Sequence, residues 1–372
     1  MLIYVAYLLK IIPVLLVFFG ILTVMPLLVF IERKISAWIQ GRFGPNRVGL
    51  FGPDSPFESL GLKTGAGRFL GGLLQPVADA VKLFTKELIV PAGAERALYF
   101  AAPLFALLPP LLAFVVIPVG PDLKLSSYNV PLQVADLQVG ILWILAVTSL
   151  SAYGLAFGGW ASNNKYALIG GVRAMAQMIS YEVGLGLVIL AMIMTYDTVS
   201  LREIVLQQAQ NGCWGICRQP LAPLAFVLFT VCAFAENNRL PFDLPECESE
   251  LVAGYHTEYS SMAFGMFFQG EYIAMLAMGA LLATLFLGGW HYPGYAALAA
   301  SPWSALNILA AVLGLLAFGV KTVGFVLFSM WVRWTLPRFR WDQLMRLGWR
   351  GIVPLALANL LFTAYIKIMW SN

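Results

Sequence analysis

Within residues 233–260, AFAENNRLPFDLPECESELVAGYHTEYS, stand six of the chain's 19 carboxylates: Glu236, Asp243, Glu246, Glu248, Glu250 and Glu258. His256, one of only two histidines, lies among them, and long apolar sequence flanks the stretch on either side. Hydrocarbon cannot solvate a carboxylate, so a dense acidic cluster at a membrane edge is costly and points to function. Partly dry carboxylates close together titrate as a linked set. That chemistry suits the handling of protons or of a polar redox substrate. Glu246 and Glu250, four apart, share a face if this piece is helical, with Glu248 pointing elsewhere. Three more ionisable side chains fall inside apolar runs: Glu182, Glu271 and Lys321. Glu182 is either a working group within the bilayer or a structural partner for Arg173 or another basic group. Lys321 either pairs with a carboxylate or joins a proton relay. Arg173, Gln177 and Tyr181, spaced by four, line one side of a helix.

The elements that position these groups follow from composition. Of 372 residues, 60% are hydrophobic and 11% charged, with a mean hydropathy of +0.80. Soluble domains carry about 25% charged residues, so the expectation is an all-α integral membrane protein forming one polytopic domain over residues 1–372. About eight apolar runs are long enough to span a bilayer: 11–31, 97–119, 137–159, 170–195, 220–236, 264–288, 304–330 and 351–370. The first run begins at Leu2 and extends past any h-region, which predicts a retained helix rather than a cleaved signal.

Lys and Arg concentrate in the loops after the odd-numbered runs, from Arg33 to Arg96, at Lys165 and Arg173, at Arg239, and from Arg333 to Arg350. The even loops hold only Lys124, Arg202 and Arg218. The odd loops are therefore expected on the cytoplasmic side, the acidic loop 237–262 with them, and both termini outside. This topology explains the net charge of +4 better than nucleic-acid binding does. In the first cytoplasmic loop, 32–96, a turn at Gly44-Pro45-Asn46-Arg47 precedes a Gly-, Ser- and Pro-rich surface excursion over 51–70. An amphipathic segment follows, with Val77, Val81, Phe84 and Leu88 on one face and Asp79, Lys82 and Lys86 on another. It reads as a helix lying in the membrane interface, or packed on a neighbour. Gly184, Gly186, Gly288 and Gly289 are expected to serve close helix packing.

Other chemistry finds little support. The four cysteines are too few and scattered for an iron–sulfur or zinc site, and the Cys213/Cys217 pair has no further ligand nearby. The two read as plain loop cysteines, or as a disulfide if their loop faces an oxidising compartment. No Gly-rich nucleotide loop or HEXXH sequence occurs. His256 is an ordinary hydrogen-bonding histidine or a proton relay. Any flavin, iron–sulfur cluster or metal is expected on a partner.

At this point the residues resemble a known family. AENNRLPFDLPECESELVAGYHTEYS is similar to the hallmark loop of the H subunits of bacterial NADH:quinone oxidoreductase (complex I), a family that includes mitochondrial NADH dehydrogenase subunit 1. IERK near residue 32, GRFGPNRVG at 41–49, LLQPVADAVKLFTKE at 73–87, GWASNNKYALIGGVRAMAQMISYE at 159–182 and LPRFRWDQLMRLGW at 336–349 extend the likeness over nearly the whole chain. The resemblance implies a multi-pass inner (plasma) membrane subunit without redox cofactor, partnered by other membrane-arm subunits, peripheral-arm iron–sulfur and quinone-site subunits, and lipid. Its substrate would be a quinone, ubiquinone or menaquinone. Glu32, Arg33, Arg42, Asp79 and Lys82 would surround the quinone entrance. Glu182, Glu236, Asp243, Glu246, Glu248 and Glu250 would form an acidic path to the proton-pumping subunits, and Arg338 would face the peripheral arm. Two departures stand out: residues 51–70 intervene where the family commonly reads Gln-Pro, and the acidic loop begins Glu-Asn-Asn with Cys247 at a usually small position. Neither removes a carboxylate. A stand-alone transporter, or the anchor subunit of a membrane-bound hydrogenase, are the competing assignments.

Overall fold

Apart from Lys10, α1 (Leu2–Ile39) carries no charge before Glu32. At 1.5 Å per residue it extends about 57 Å, well beyond a hydrocarbon core of about 30 Å. Its charged end, Glu32-Arg33-Lys34, therefore reaches the polar boundary. The computed structural model describes residues 2–46, 72–125, 128–295, 298 and 304–371; the expected excursion at 51–70 lies outside the described residues.

Next come α2 (Gln75–Thr85), with Pro76 in its first turn, and α3 (Arg96–Ala113). A small antiparallel ribbon, β1 (Leu123–Leu125) with β2 (Tyr128–Val130), pairs Leu123 with Val130. The remaining elements are α4 (Gly140–Ala161), α5 (Lys165–Tyr196), α6 (Leu201–Asn211), α7 (Ala222–Glu236), α8 (Ser261–Phe286) and α9 (Ser304–Thr335). At the end, α10 (Trp341–Arg346) widens through a π-helical stretch at Leu347–Ile352 into α11 (Val353–Ser371).

Seven of these segments are long and apolar enough to cross a membrane: those within α1, α3, α4, α5, α8 and α9, and the run Trp341–Met369. The fifth expected span, 220–236, is α7, only 15 residues long. At about 22 Å it falls short of the roughly 20 residues a full crossing needs. It ends where Asn237, Asn238 and Arg239 turn the chain, Asn238 adopting a positive φ of 50°. The second expected span, 97–119, also stops early. Pro103, Pro109 and Pro110 thin out the donors of α3, and beyond Ala113 the chain runs irregularly, with Val119 N–H donating to Leu132 O at 3.1 Å.

Helix contacts rely on small residues, as expected where lipid provides no hydrophobic drive. A Cβ on Gly154 of α4 or on Gly270 of α8 would meet the Ala106 backbone of α3 at 2.5 and 2.6 Å. Gly184 likewise fits against Ile352 and Cys232, whereas a Cβ on Gly186 would meet nothing within 4 Å among the described residues. Gly288 and Gly289 serve both purposes: with φ of 75° and 51° they turn the chain after α8, and a Cβ on Gly289 would meet Val205 of α6 at 2.7 Å and one on Gly288 would meet Trp214 at 3.0 Å. On α2 the apolar face is exposed, Val77, Val81 and Phe84 at 58%, 56% and 71%, so nothing described in this chain covers it. Of the polar face, Asp79 meets Arg33 of α1 at 2.7 Å, while Lys82 and Lys86 are exposed.

The acidic stretch is seated on α5. Arg173, Gln177 and Tyr181 do line one side of that helix, and each grips a different segment. Arg173 pairs with Glu250 at 2.7 Å, Gln177 Nε2 donates to Ala235 O and Phe242 O at 2.7 and 2.9 Å, and Tyr181 O–H donates to Leu344 O at 3.0 Å. Close approach depends on Gly170 and Gly254. A Cβ on Gly170 would lie 2.7 Å from Tyr255 N and 2.8 Å from Pro245 O; one on Gly254 would lie 1.8 Å from the same carbonyl. Overpacking of this kind costs about 1–3 kcal/mol. Gly170→Ala is therefore expected to lift the loop off α5 and speed its cleavage by protease within residues 245–256; an unchanged cleavage rate would contradict this seating.

Candidate functional site

Arg239, which follows the Asn turn closing α7, is 5% exposed, and Glu32 on α1 is 5% exposed. Arg239 Nη1 donates to Glu32 Oε1 at 2.7 Å, and its Nε is ion-paired with Glu271 of α8. Arg333 of α9 approaches the same Glu32 oxygen, and the Tyr272 hydroxyl donates to the other. The guanidinium also lies over the Tyr272 ring, 4.7 Å from its centroid. Two carboxylates and two guanidinia from four segments thus meet in one nearly dry site. Such burial is tolerable only because the charges compensate one another.

Beside it lies the loop itself. Arg338 Nη2 donates to Asp243 Oδ2 at 3.1 Å, while Oδ1 is buried without a partner. Burial pushes the Asp243 carboxyl above its ordinary range, against the pull of Arg338 and Arg333. Glu246 is pushed up to about 8, by burial first and then by the nearby charges of Glu271 and Asp243. The Tyr255 hydroxyl donates to it at 3.5 Å, and His256 Nδ1 lies 3.7 Å away. Burial lowers His256 to about 4, so near neutral pH the imidazole is uncharged. Glu246 is then mostly protonated, and the two make a neutral pair rather than an ion pair.

Deeper in the bundle, the Ser149 hydroxyl of α4 donates to Glu182 of α5. Glu236, at the end of α7, is buried in contact with Thr148, and its Oε2 has no partner. A narrow cavity of about 40 Å³ joins these regions, with Glu236, Glu246, Glu271, Tyr255 and Ser151 in its wall. A water needs about 10–15 Å³ of such space, so a short file of waters fits between carboxylates.

The residues singled out from sequence divide accordingly. Glu32, Glu236, Asp243 and Glu246 belong to this connected region, with Glu182 beside it. Glu246 and Glu250 do not share a face, because the helical turn begins only at Glu248: Glu246 turns into the cavity, while Glu250 faces out to Arg173. Arg173 is thus not the partner of Glu182. The Glu248 side chain lies outside the described residues. Arg33 and Asp79 join α1 to α2, Arg42 bonds to Gln40, and Lys82 is exposed on α2. Lys321 stands apart from the carboxylates. Its Nζ donates to Leu287 O, Gly289 O and His291 O at 2.7, 2.8 and 2.7 Å and lies 5.1 Å from the Trp214 ring centroid, where it caps the end of α8. Cys213 and Cys217 are both free thiols.

Sequence reasoning missed the centre of the cluster. Arg239 served only as a topology marker and Glu271 only as a buried charge, though a lone arginine directly after the acidic end of an apolar run was the available signal. Tyr272 and Tyr255 carried none, since tyrosines are common in such helices.

Comparisons with known proteins agree over nearly the whole length. The NADH dehydrogenase family matches residues 11–364. The chain is 48% identical over 354 residues to one H subunit of the NADH-quinone oxidoreductase of Geobacter metallireducens, with 95% of each chain covered. It is 47% identical over 351 residues to an H subunit of the Geobacter sulfurreducens oxidoreductase, covering 94% of each, and 45% identical over 342 residues to the H subunit of the Flavobacterium psychrophilum oxidoreductase, covering 91% of each.

The sign of the Glu246 shift gives a pH dependence. The folded state holds this proton more tightly than an unfolded carboxylate near 4.3, so its contribution favours the fold at acid pH and fades as pH rises from about 4.3 towards 8. A protonated-carboxyl band in the infrared is expected to disappear with a midpoint near 8 and to be missing in Glu246→Gln; a midpoint near 4.5 would overturn the assignment.

Proposed function

Because the chain belongs to the NADH dehydrogenase family, as an H subunit of NADH-quinone oxidoreductase, we propose that it forms part of the quinone chamber and couples quinone reduction to proton movement through its carboxylates. One observation carries this reading: a single cavity lined by Glu236, Glu246 and Glu271 adjoins the Glu32–Arg239–Glu271–Arg333 cluster. The entrance is assigned to the first loop, where Arg33, Arg42, Asp79 and Lys82 lie near the exposed apolar face of α2. That face suits an isoprenoid substrate arriving from lipid, whether ubiquinone or menaquinone. Electrons come from an iron–sulfur partner in the peripheral arm. The loops after the odd-numbered spans, Arg338 among them, face that arm on the cytoplasmic side of the inner (plasma) membrane.

Coupling follows from charge. A quinone that accepts two electrons must take up two protons, and until it does so it adds negative charge at one end of the site. A unit charge at about 8 Å changes the energy of an ionised carboxylate by about 2 kcal/mol at an effective dielectric of 20, more than one pKa unit. A group poised near 8, as Glu246 is, responds to a change of that size with a large shift in proton occupancy. Asp243, Glu248 and Glu250 set the surrounding potential. Arg239 holds Glu271 and Glu32 at fixed distance, so the response passes to Glu271 and along the cavity to Glu236 and Glu182. Lys321, with all three protons on backbone carbonyls, positions the far end of α8.

Glu182→Gln keeps a hydrogen-bonding partner for Ser149 and replaces the carboxylate by an amide that cannot pass a proton. In proteoliposomes containing the whole complex, this variant is expected to slow quinone-driven proton translocation by about a hundredfold, the lower end of the range for loss of a proton-transfer group. Fully coupled activity in that variant would refute the path.

A further inference from the structure

The end of the bundle remote from the acidic loop holds a second polar site. From Arg173, which grips the loop, to Asp197 just past the end of α5 is 24 residues of helix, or about 36 Å. That exceeds a hydrocarbon core of about 30 Å, so Asp197 sits at the opposite membrane surface. There a pocket of about 230 Å³ opens between the ends of α5 and α11 and the loop before α7, with Arg218, Lys367, Asp197 and Gln219 around it and Met194 and Ile366 as its apolar walls.

Its charges are uneven. Lys367 donates to Met194 O at 2.9 Å and pairs with Asp197, which accounts for one positive and one negative charge. Arg218 is exposed and forms no ion pair among the described residues. The loop that presents it is firmly held. Gly215 N–H donates to Gln208 Oε1 at 2.8 Å, Gln208 Nε2 donates to Thr284 O at 2.8 Å, and a Cβ on Gly215 would meet Leu285 O at 2.2 Å. The lining therefore carries one net positive charge, on an arginine presented by a firmly held loop. Immediately beside it α11 turns an apolar flank outward, with Leu361, Tyr365 and Ile368 at 63%, 56% and 61% exposure.

We propose that this pocket binds the phosphate of an anionic phospholipid, with Arg218 as the principal donor and the acyl chains lying along the outer face of α11. A guanidinium is suited to a phosphate by its fork of donors. A lipid of net charge −1 neutralises the lining, whereas a zwitterionic one leaves a positive charge uncompensated. Lys367 reaches the surface in the manner of a long cation whose stem stays in hydrocarbon. The site is independent of the quinone chamber and stands or falls separately from it.

The test uses the whole purified complex, depleted of lipid and incubated with phosphatidylglycerol bearing a photoreactive group next to its headgroup. Label is expected on peptides carrying residues 194–219 and 366–369, displaced by unlabelled phosphatidylglycerol but not by inorganic phosphate. Arg218→Gln is expected to weaken that labelling about fivefold, the effect of one interfacial cation, with quinone reduction unchanged. The proposal is overturned if a phosphatidylcholine probe labels these peptides equally, if Arg218→Gln labels like wild type, if inorganic phosphate competes as well as the lipid, or if another subunit takes up the label in their place.

Discussion

Arg239 is shared between Glu32 on α1 and Glu271 on α8, with Arg333 of α9 completing the set. Remove the guanidinium and two buried carboxylates face each other across a dry site. Breaking such an arrangement costs about 3–5 kcal/mol, mostly for the charges left behind. The cluster therefore sets the spacing of three helices at one end of the bundle. It also fixes where α7 must end, because Arg239 can reach both acids only if the chain leaves the helix at Asn237 and Asn238.

That early ending has consequences. Carbonyls freed at the end of α7 and in the following turn need donors, and Gln177 supplies them to Ala235 and Phe242. The loop then packs on α5 through Gly170 and Gly254, which turns Glu246 towards the bundle and Glu250 away from it. Glu246 is pushed up to about 8 because this path leaves it partly desolvated and close to other acids. Stability and chemistry draw on the same constraint: the charge compensation that allows burial also brings a titrating carboxylate into electrical contact with its neighbours.

Much of this was legible in the sequence, because hydropathy and charge report directly on a bilayer. The spans, the amphipathic helix at α2, the row Arg173, Gln177 and Tyr181 on one helix side, and the family all followed from the residues. What failed depended on pairing across the fold. Residues 220–236 read as a full span because apolar content says nothing of the turn Arg239 imposes. Glu246 and Glu250 read as neighbours because spacing by four assumes a helix, and here the helix starts two residues too late. Lys321 was grouped with the carboxylates for its charge alone. Its partners are backbone carbonyls beyond α8, exposed by Gly288 and Gly289, and no sequence pattern marks a carbonyl as unpaired.

The central claim is that a change of charge at the quinone alters proton occupancy on Glu246. Reduced-minus-oxidised infrared difference spectroscopy of the intact complex near pH 8 addresses it most directly. The account predicts a carboxyl band that changes with quinone reduction in wild type and is absent from Glu246→Gln. A difference spectrum with no carboxyl change, or one that Glu246→Gln leaves intact, would contradict it.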